Sequence, residues 1–408
     1  MSATTTLEPS KAPEPTKKND GGSLKAYLGQ NIQQYGMIAA LLVIIAIFQV
    51  TTDGLMLNPD NIAALIQQNA YVFVLAIGMV MVIVAGHIDL SVGSVVAFVG
   101  GICAILMTDF EMSWPVAVAI SIAIGGLVGC WQGFWVAYVG IPAFIVTLGG
   151  MLLFRGLAIV VLDQTVAGLP DGFKKISNGS LPPVAGYLGN LDGITVFIGV
   201  FAFVGLAVAQ VRARRELNKL ELHTEPFAAF VGKLVLAALA IGALTYLLAS
   251  SAGGTPIVLI IVGVLVIIYT FLMNNTIFGR HIYAMGGNLP AAMLSGVKTK
   301  RVNFLIFVNM GLLAGVAAVI TTSRAGAGIA AAGTNYELDA IAAAFIGGTS
   351  VNGGIGKITG AIIGALIMGV LNMGLSIMGT DPAYQQVIKG LVLIAAVALD
   401  ILNKRRGK

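Results

Sequence analysis

The sequence predicts an all-α, polytopic membrane protein with about 12 transmembrane segments, including short or broken helices. Of the 408 residues, 57% are hydrophobic and only 10% are charged, whereas a soluble domain has roughly 45 to 50% apolar and about 25% charged residues. The stretch 234–279 contains no Asp, Glu, Lys or Arg, and it is long enough for two spans of roughly 20 residues each. These observations exclude a soluble enzyme.

The order of the crossings follows from the length of each apolar run and from the positions of Lys and Arg. The predicted crossings are 35–51, 61–86, 95–108, 114–131, 143–162, 194–211, 234–250, 256–273, 302–323, 338–349, 358–378 and 387–402. With the N-terminus inside, each dense basic cluster falls on the cytoplasmic side, as short cytoplasmic loops require. The segment 163–193 then becomes a Gly- and Pro-rich outer loop. The Gly-interrupted segments beside 87–94 and 338–349 are the ones expected to be broken helices that do not fully cross.

The chain divides into three parts by composition. Residues 1–34 are polar and lack the apolar region of a signal peptide, which predicts a disordered cytoplasmic tail. Residues 35–403 form the transmembrane domain, and 404–408 are a basic cytoplasmic C-terminus. The excess of Lys and Arg lies in loops rather than in one stripe, so no nucleic-acid partner is indicated. Cys103 and Cys130 lie in apolar runs and are expected to be packed thiols.

Glycines recur at helical spacing in two of the predicted spans. Gly125, Gly129 and Gly133 form one row, and Gly356, Gly360 and Gly364 form another. Residues four apart share a helix face, and small residues there allow two helix backbones to approach closely in lipid. Packing within the chain is the favoured interpretation, and a seam between subunits is the alternative.

No catalytic, metal or cofactor pattern is present. His87, His223 and His281 are far apart, and neither H-E-x-x-H nor C-x-x-C occurs. The Gly-rich stretch 347–356 lacks the G-x-x-x-x-G-K-[ST] pattern that binds phosphates. The sequence therefore predicts a chain without enzymatic activity or ATP binding of its own.

Acidic residues at membrane depth are costly and are candidates for function. Asp89 either caps the helix that follows, together with nearby Ser and Gly residues, or serves as part of a gate or path. Glu337 and Asp339 lie at the edge of an outer loop, where solvated capping is the alternative to a path role. Arg155 is expected to reach the outer interface or to pair with an acid. The candidate path or gate residues are Asp89, Ser91, Asn335, Glu337, Asp339 and Thr349.

The cytoplasmic loop 274–301 is not composed like a linker. Asn288 can cap a short helix with Pro290 in its first turn, and Gly296 can end that helix. Leu289, Met293 and Leu294 would then lie on one side and could contact a groove of a partner protein. The alternative is a helix that packs against the membrane spans of its own chain.

Four motifs stand out along the chain. They are Gly-Arg-x-Ile-Tyr-Ala-x-Gly-Gly-Asn at 279–288 with Ser-Gly-Val at 295–297, Ile-Asp-Leu-Ser-Val-Gly-Ser at 88–94, Ile-Pro-Ala-Phe-Ile-Val-Thr-Leu-Gly at 141–149, and Tyr-Glu-Leu-Asp-Ala-Ile-Ala at 336–342 with Ile-Gly-Gly-Thr-Ser at 346–350. Together they resemble the signatures of monosaccharide ABC importer permeases of the ribose, xylose, arabinose and galactose type. Ribose-type members lack the pair of apolar segments within 194–250, so the chain looks most like the xylose and multiple-sugar permeases. His87 departs from the Glu or Gly often found before Ile-Asp-Leu-Ser.

The resemblance implies a homodimeric subunit, without ATPase chemistry of its own, in the bacterial inner membrane with both termini cytoplasmic. Its implied partners are cytoplasmic ATP-binding cassette subunits, a periplasmic sugar-binding protein, a second copy of itself and membrane lipid. The loop 274–301 would be the coupling loop to the ATPase. The implied coupling residues are Gly279, Arg280, Tyr283, Gly286, Gly287, Asn288, Leu289, Ala291, Ala292, Leu294, Ser295 and Gly296.

A proton-coupled secondary transporter is the rival interpretation, with Asp89, Glu337 or Asp339 carrying the proton. A self-sufficient transporter has no need of a structured, capped cytoplasmic loop, so the loop 274–301 favours the importer permease. A structural membrane protein is a more distant alternative.

Overall fold

The computed structural model describes residues 32–221 and 224–406, and within these ranges the chain forms fifteen α-helices and one short β-hairpin. Helices α1 to α15 are Ile32–Thr51, Pro59–Val84, Val92–Thr108, Trp114–Phe134, Ala143–Val161, Asp171–Asn178, Gly193–Lys219, Phe227–Ala249, Ile257–Asn275, Ile277–Gly287, Leu289–Leu294, Thr299–Ala325, Tyr336–Ile346, Ile358–Ile377 and Pro382–Arg406. A π-helical turn, Trp135–Val139, extends α4. The hairpin pairs β1, Tyr187–Leu188, with β2, Leu191–Asp192. Apart from its last three residues, the predicted tail 1–34 lies outside the described residues, as do residues 407 and 408 of the basic C-terminus.

A helix is present at each of the predicted crossings, which confirms a polytopic, all-α protein. Eight helices in the described part of the chain are long and apolar enough to cross a membrane: α2, α4, α5, α7, α8, α9, α12 and α14. By contrast, α13 has 11 residues, which makes it about 16 Å long. The hydrocarbon core of a bilayer is about 30 Å thick, so α13 spans only about half of it. The short, Gly-interrupted segment therefore forms a half-helix that ends at Gly347.

The central helix of the bundle is α2. Every residue of α2 from Asn69 to Val84 is buried, because α8, α9, α10, α12, α13 and α14 pack around it. The pair α7 and α8 is peripheral, and only 11% of the apolar window of each is buried inside the chain. Cys103 is buried and Cys130 is half-buried, and both are free thiols.

The first glycine row is an internal packing surface, as predicted. Gly125 and Gly129 of α4 face Gly311 and Gly315 of α12, and a Cβ added to Gly311 would lie 2.8 Å from the Cα of Gly129. A Cβ at Gly133 would likewise meet the backbone of α12. The two helix backbones therefore touch, and any side chain larger than glycine would separate them.

The second glycine row is only partly as predicted. Gly360 and Gly364 of α14 lie against the backbone of α13 at Gly347 and Ala343. Gly356, however, precedes α14 and belongs to the connecting segment. The three glycines of this row therefore do not share one helix, because α14 begins at Ile358, two residues after Gly356.

The segment 163–193 is more structured than the outer loop that the sequence predicts for it. It contains α6 and the hairpin, and Phe173 of α6 is completely buried. Ser323 at the end of α12 holds α6, since its Oγ accepts a hydrogen bond from the N–H of Ser177 at 3.0 Å and donates to the carbonyl of Phe173 at 2.8 Å. The sequence pattern missed α6 because the helix has only 8 residues.

Candidate gate and coupling surface

Two short helices begin side by side in the interior of the bundle. An irregular segment from Ala85 to Ser91 joins α2 to α3, and a second irregular segment joins α12 to α13. Gly93, in the first turn of α3, lies directly against the Gly333 carbonyl and the Glu337 carboxylate, so that a Cβ there would overlap both. The arrangement brings the acid-bearing starts of α3 and α13 together.

Asp89 is 1% exposed and bonds to the start of α3. Its Oδ1 accepts hydrogen bonds from the backbone N–H of Ser91 at 2.8 Å and from the Ser91 hydroxyl at 2.6 Å. Gln132 of α4 donates in turn to the Ser91 hydroxyl, at 2.6 Å. Asp89 therefore does not cap α3, because the N-cap residue is Ser91, which makes no side-chain cap hydrogen bond, and Asp89 holds the turn that precedes it. Gln132, which the sequence did not single out, completes a buried polar chain.

Arg155 binds the backbone that leads into α13. Its Nη1 donates to the carbonyls of Ala330 and Ala332, both at 2.8 Å, and the guanidinium also attracts the Glu337 carboxylate. The sequence predicts that this side chain reaches the outer interface or pairs with an acid, and its attraction to Glu337 agrees with the second alternative. The guanidinium also fixes an irregular segment whose carbonyls have no helical partner, which its five donors are well suited to do.

Asp339, on the first turn of α13, belongs to a different cluster from Asp89. The Tyr71 hydroxyl of α2 donates to Asp339 Oδ2 at 2.7 Å, and Lys389 Nζ of α15 lies 3.2 Å from Oδ1. The rings of Tyr71 and Tyr336 stack with their centroids 3.5 Å apart. The sequence did contain a signal for Lys389, because it is a charged residue inside the predicted crossing 387–402.

The remaining candidate gate residues are apart from one another. Asn335 precedes α13 with a φ of 66°, next to the Asp339 cluster. Thr349 follows the other end of α13, where a Cβ on Gly356 would lie 3.1 Å from its Oγ1. The six candidates thus fall into three groups: Asp89 and Ser91 with Glu337, Asn335 with Asp339, and Thr349 alone.

The coupling loop has the helix start and end that were predicted for it. Asn288 Oδ1 accepts a hydrogen bond from the N–H of Ala291 at 3.0 Å, and Pro290 lies in the first turn of α11. Gly296 follows α11 with a φ of 82°, the left-handed conformation that glycine adopts without strain. A second short helix, α10, precedes α11 and was not predicted; Thr276 caps it by accepting from the N–H of Gly279 at 3.2 Å.

Direct backbone contacts hold the coupling loop to the bundle. Gly286 lies so close to the Val84 carbonyl, at the end of α2, that a Cβ there would overlap it. The N–H of Gly354 donates to the same carbonyl at 2.8 Å, and the Tyr283 hydroxyl donates to the Gly356 carbonyl at 2.7 Å. Burial raises the pKa of the Tyr283 hydroxyl above its ordinary value. Movement of α10 is thus tied to the central helix.

One face of α11 is free, although not quite the predicted one. Leu289, Met293 and Leu294 are 45%, 57% and 91% exposed, which confirms the expected apolar side. Ala292 is 4% exposed because it packs into the chain's own core, so it cannot contact a partner. Of the other candidate coupling residues, Gly279 is buried, Gly286 is half-buried, and Arg280, Gly287, Asn288, Ala291, Ser295 and Gly296 are exposed.

No metal site is apparent in the described residues, since no three His, Cys, Asp or Glu side chains are grouped to hold an ion. His87 lies between α2 and α3, with its Nε2 3.1 Å from Asn303 Oδ1 of α12. The histidine that stands before Ile-Asp-Leu-Ser in this chain therefore has Asn303 as a polar partner.

Asp89→Asn separates the turn contact with Ser91 from the charge. The amide oxygen can accept the same two hydrogen bonds from Ser91, so we expect normal membrane insertion and an unchanged melting temperature. If Asp89 is a gate residue, loss of its charge near Glu337 should lower transport several-fold. Uptake by the variant at equal expression is the measurement. Full transport would leave Asp89 with the turn contact alone.

Comparison with known proteins gives a consistent result over nearly the whole chain. Residues 61–397 match the family described as the branched-chain amino acid transport system permease component. The xylose transport system permease protein XylH of Escherichia coli K12 is 39% identical over 388 residues, covering 94% of this chain and 96% of that protein. The ribose import permease protein RbsC of the same organism is 32% identical over 382 residues, covering 94% and 96%. No solved structure matches the chain.

Proposed function

The chain belongs to this permease family, and from that premise we propose that it is the membrane-spanning subunit of a bacterial ABC importer for a monosaccharide. The family description names branched-chain amino acids, whereas the relatives that match over more than nine-tenths of the chain are named for xylose and ribose. Identity over the full length is the better guide to the class of substrate. We therefore assign a sugar of the pentose or related monosaccharide type.

The observation that carries the proposal is the construction of the coupling loop. Its α11 helix exposes an apolar face away from the bundle, while Gly286 and Tyr283 fix α10 to the end of α2 and to the segment after α13. An apolar face that is exposed to water outside the membrane is typical of a surface that binds a protein partner. An ATP-binding cassette subunit docked there would move α10 and α11 together with the central helix.

The other proposed partners follow from the same assignment. A periplasmic sugar-binding protein would deliver the sugar at the outer face, where α6 and the hairpin cover the helix ends. A second copy of the chain would complete the membrane part, with residues 35–403 as the permease domain in each. The chain itself is proposed to contribute no ATP hydrolysis.

The acids of the chain favour this function over proton-coupled transport. Asp339 contacts an ammonium and a tyrosine hydroxyl, and Asp89 accepts two hydrogen bonds from Ser91. A proton carrier must exchange protons with water on both sides during transport. Side chains that are held by several partners are better suited to structure and to binding a neutral solute.

The proposed orientation places both termini and the loops 212–233 and 274–301 in the cytoplasm, because the basic clusters lie there. Single cysteines at residues 219 and 300 should therefore resist an impermeant thiol reagent in intact cells and react after permeabilisation. Labelling of either residue from outside would overturn this topology.

Affinity purification of the tagged chain in mild detergent tests the function itself. We expect an ATP-binding cassette protein to copurify at a fixed ratio. A chain that purifies alone and still transports a sugar along a proton gradient would contradict the proposal.

A further inference from the structure

A cavity of about 210 Å³ lies between α13, α14 and α15. Its polar lining consists of Asn335, Asp339, Gln386 and Lys389, and Leu338 and Leu393 are among its apolar neighbours. It is open on one side, where Leu338 and Gln386 are exposed. No part of the family motif at 279–297 or of the Asp89 cluster contributes to it.

The cavity lies beside α14, one of the helices long and apolar enough to cross a membrane. Lys389 is seven residues into α15, and it therefore lies about 10 Å along the axis from the start of that helix. Met368, which also lines the cavity, is near the middle of α14. Charged side chains at such depth are expensive in lipid and mark solute pathways when they face a water-filled space.

The electrostatics of the cavity suit a neutral polar solute. Asp339 and Lys389 carry opposite charges 3.2 Å apart, so the lining has no net charge to attract an ion. The amides of Asn335 and Gln386 can each donate and accept hydrogen bonds. The apolar side chains offer contact to C–H surfaces, and the combination matches a molecule that carries hydroxyl groups on a carbon ring.

We propose that this cavity is a monosaccharide-binding site on the translocation path, in which Asp339, Lys389, Asn335 and Gln386 contact sugar hydroxyls. The inference rests on the proposed importer function and adds a defined binding site for the sugar along the path. Tyr71 acts as a positioning residue, because its hydroxyl holds the Asp339 carboxylate from the side of α2.

Gln386→Leu tests the site without disturbing the buried ion pair. Gln386 is exposed at the cavity, so leucine should be accepted in the helix. Gln385→Leu is the matched control, because Gln385 is the adjacent residue, does not line the cavity, and bonds locally to the carbonyl of Thr380. Asn335→Gly is a second test variant, since glycine keeps the positive φ while the amide is lost.

The assay is ATP-driven uptake by the complex reconstituted with its cassette and binding protein. It uses D-xylose or D-ribose, whichever the wild type takes up faster, and the monodeoxy analogues of that sugar. We expect Gln386→Leu to lower uptake of the parent sugar about tenfold, while one monodeoxy analogue is carried equally by variant and wild type. That analogue lacks the hydroxyl that the Gln386 amide would contact, so loss of the amide does not affect it. A merely structural defect would slow uptake of the parent sugar and of every analogue alike.

The outcomes distinguish the site from the function on which it rests. Wild-type complex that takes up neither sugar with ATP would contradict the proposed function. Wild-type complex that transports normally, with Gln386→Leu and Asn335→Gly matching Gln385→Leu for every analogue, would overturn the site alone. A uniform loss for the parent sugar and all analogues would assign the cluster to structure and would also overturn the site.

Discussion

Leu294→Glu is expected to abolish sugar uptake and cassette binding together. Leu294 is 91% exposed on the free side of α11, so the substitution leaves the permease's own core unchanged. If this face docks into a cassette groove, the new carboxylate must lose its water without gaining a partner. That costs several kcal/mol, and about 1.4 kcal/mol is already a tenfold loss of association.

Leu220→Glu provides the control for Leu294→Glu. Leu220 is also an exposed leucine, at 69%, and it lies in the other proposed cytoplasmic loop, after α7. We expect that variant to take up sugar and to copurify the cassette as the wild type does. Loss of uptake with full cassette binding in Leu294→Glu would mean that the loop transmits motion without docking there. Full uptake by Leu294→Glu would contradict the assignment of the loop 274–301 as the coupling loop.

Gly286→Ala should lower uptake by at least about tenfold. A Cβ at Gly286 would overlap the Val84 carbonyl and lie 2.6 Å from the backbone nitrogen of Gly354. Since backbone rather than a flexible side chain occupies that space, α10 must move away from α2. Overpacking of this kind costs roughly 1 to 3 kcal/mol, and it would also break the contact between α10 and α2 through which we propose that the cassette moves the central helix.

Gly287→Ala is the matched control, because a Cβ at Gly287 meets nothing within 4 Å. We expect its uptake to remain within about twofold of the wild type, a free-energy difference well below the about 1.4 kcal/mol of a tenfold change. Equal membrane insertion and equal cassette recovery for both variants would show that Gly286→Ala breaks transmission rather than folding. Equal uptake by the two variants would mean that this backbone contact does not transmit motion.

Local chemistry explains which features could be predicted from the sequence. The cap at Asn288 and the end at Gly296 depend on residues within one turn of each other, so spacing alone identifies them. The packing of Gly125 and Gly129 was likewise predictable, because a row of small residues requires a close neighbour in lipid. Apolar length was enough to place a helix at each predicted crossing.

Features that depend on long-range contact were not predictable. Asp339 and Lys389 are 50 residues apart, and only the packing of α15 on α13 brings their charges together. Ala292 was among the coupling residues that the resemblance implies, but its small side chain is buried in the chain's own core. The helical content of α6 was hidden because a helix of 8 residues depends on tertiary contacts rather than on its own periodicity.

The energy source of uptake in proteoliposomes is the most direct measurement of whether this chain is an importer subunit. The chain is reconstituted with its copurified cassette and a sugar-binding protein, and uptake is followed with ATP, without ATP, and with a proton ionophore. We expect uptake that requires ATP and the binding protein and that continues when the ionophore collapses the proton gradient. Uptake that proceeds without ATP or cassette, follows an imposed proton gradient and stops with the ionophore would contradict it.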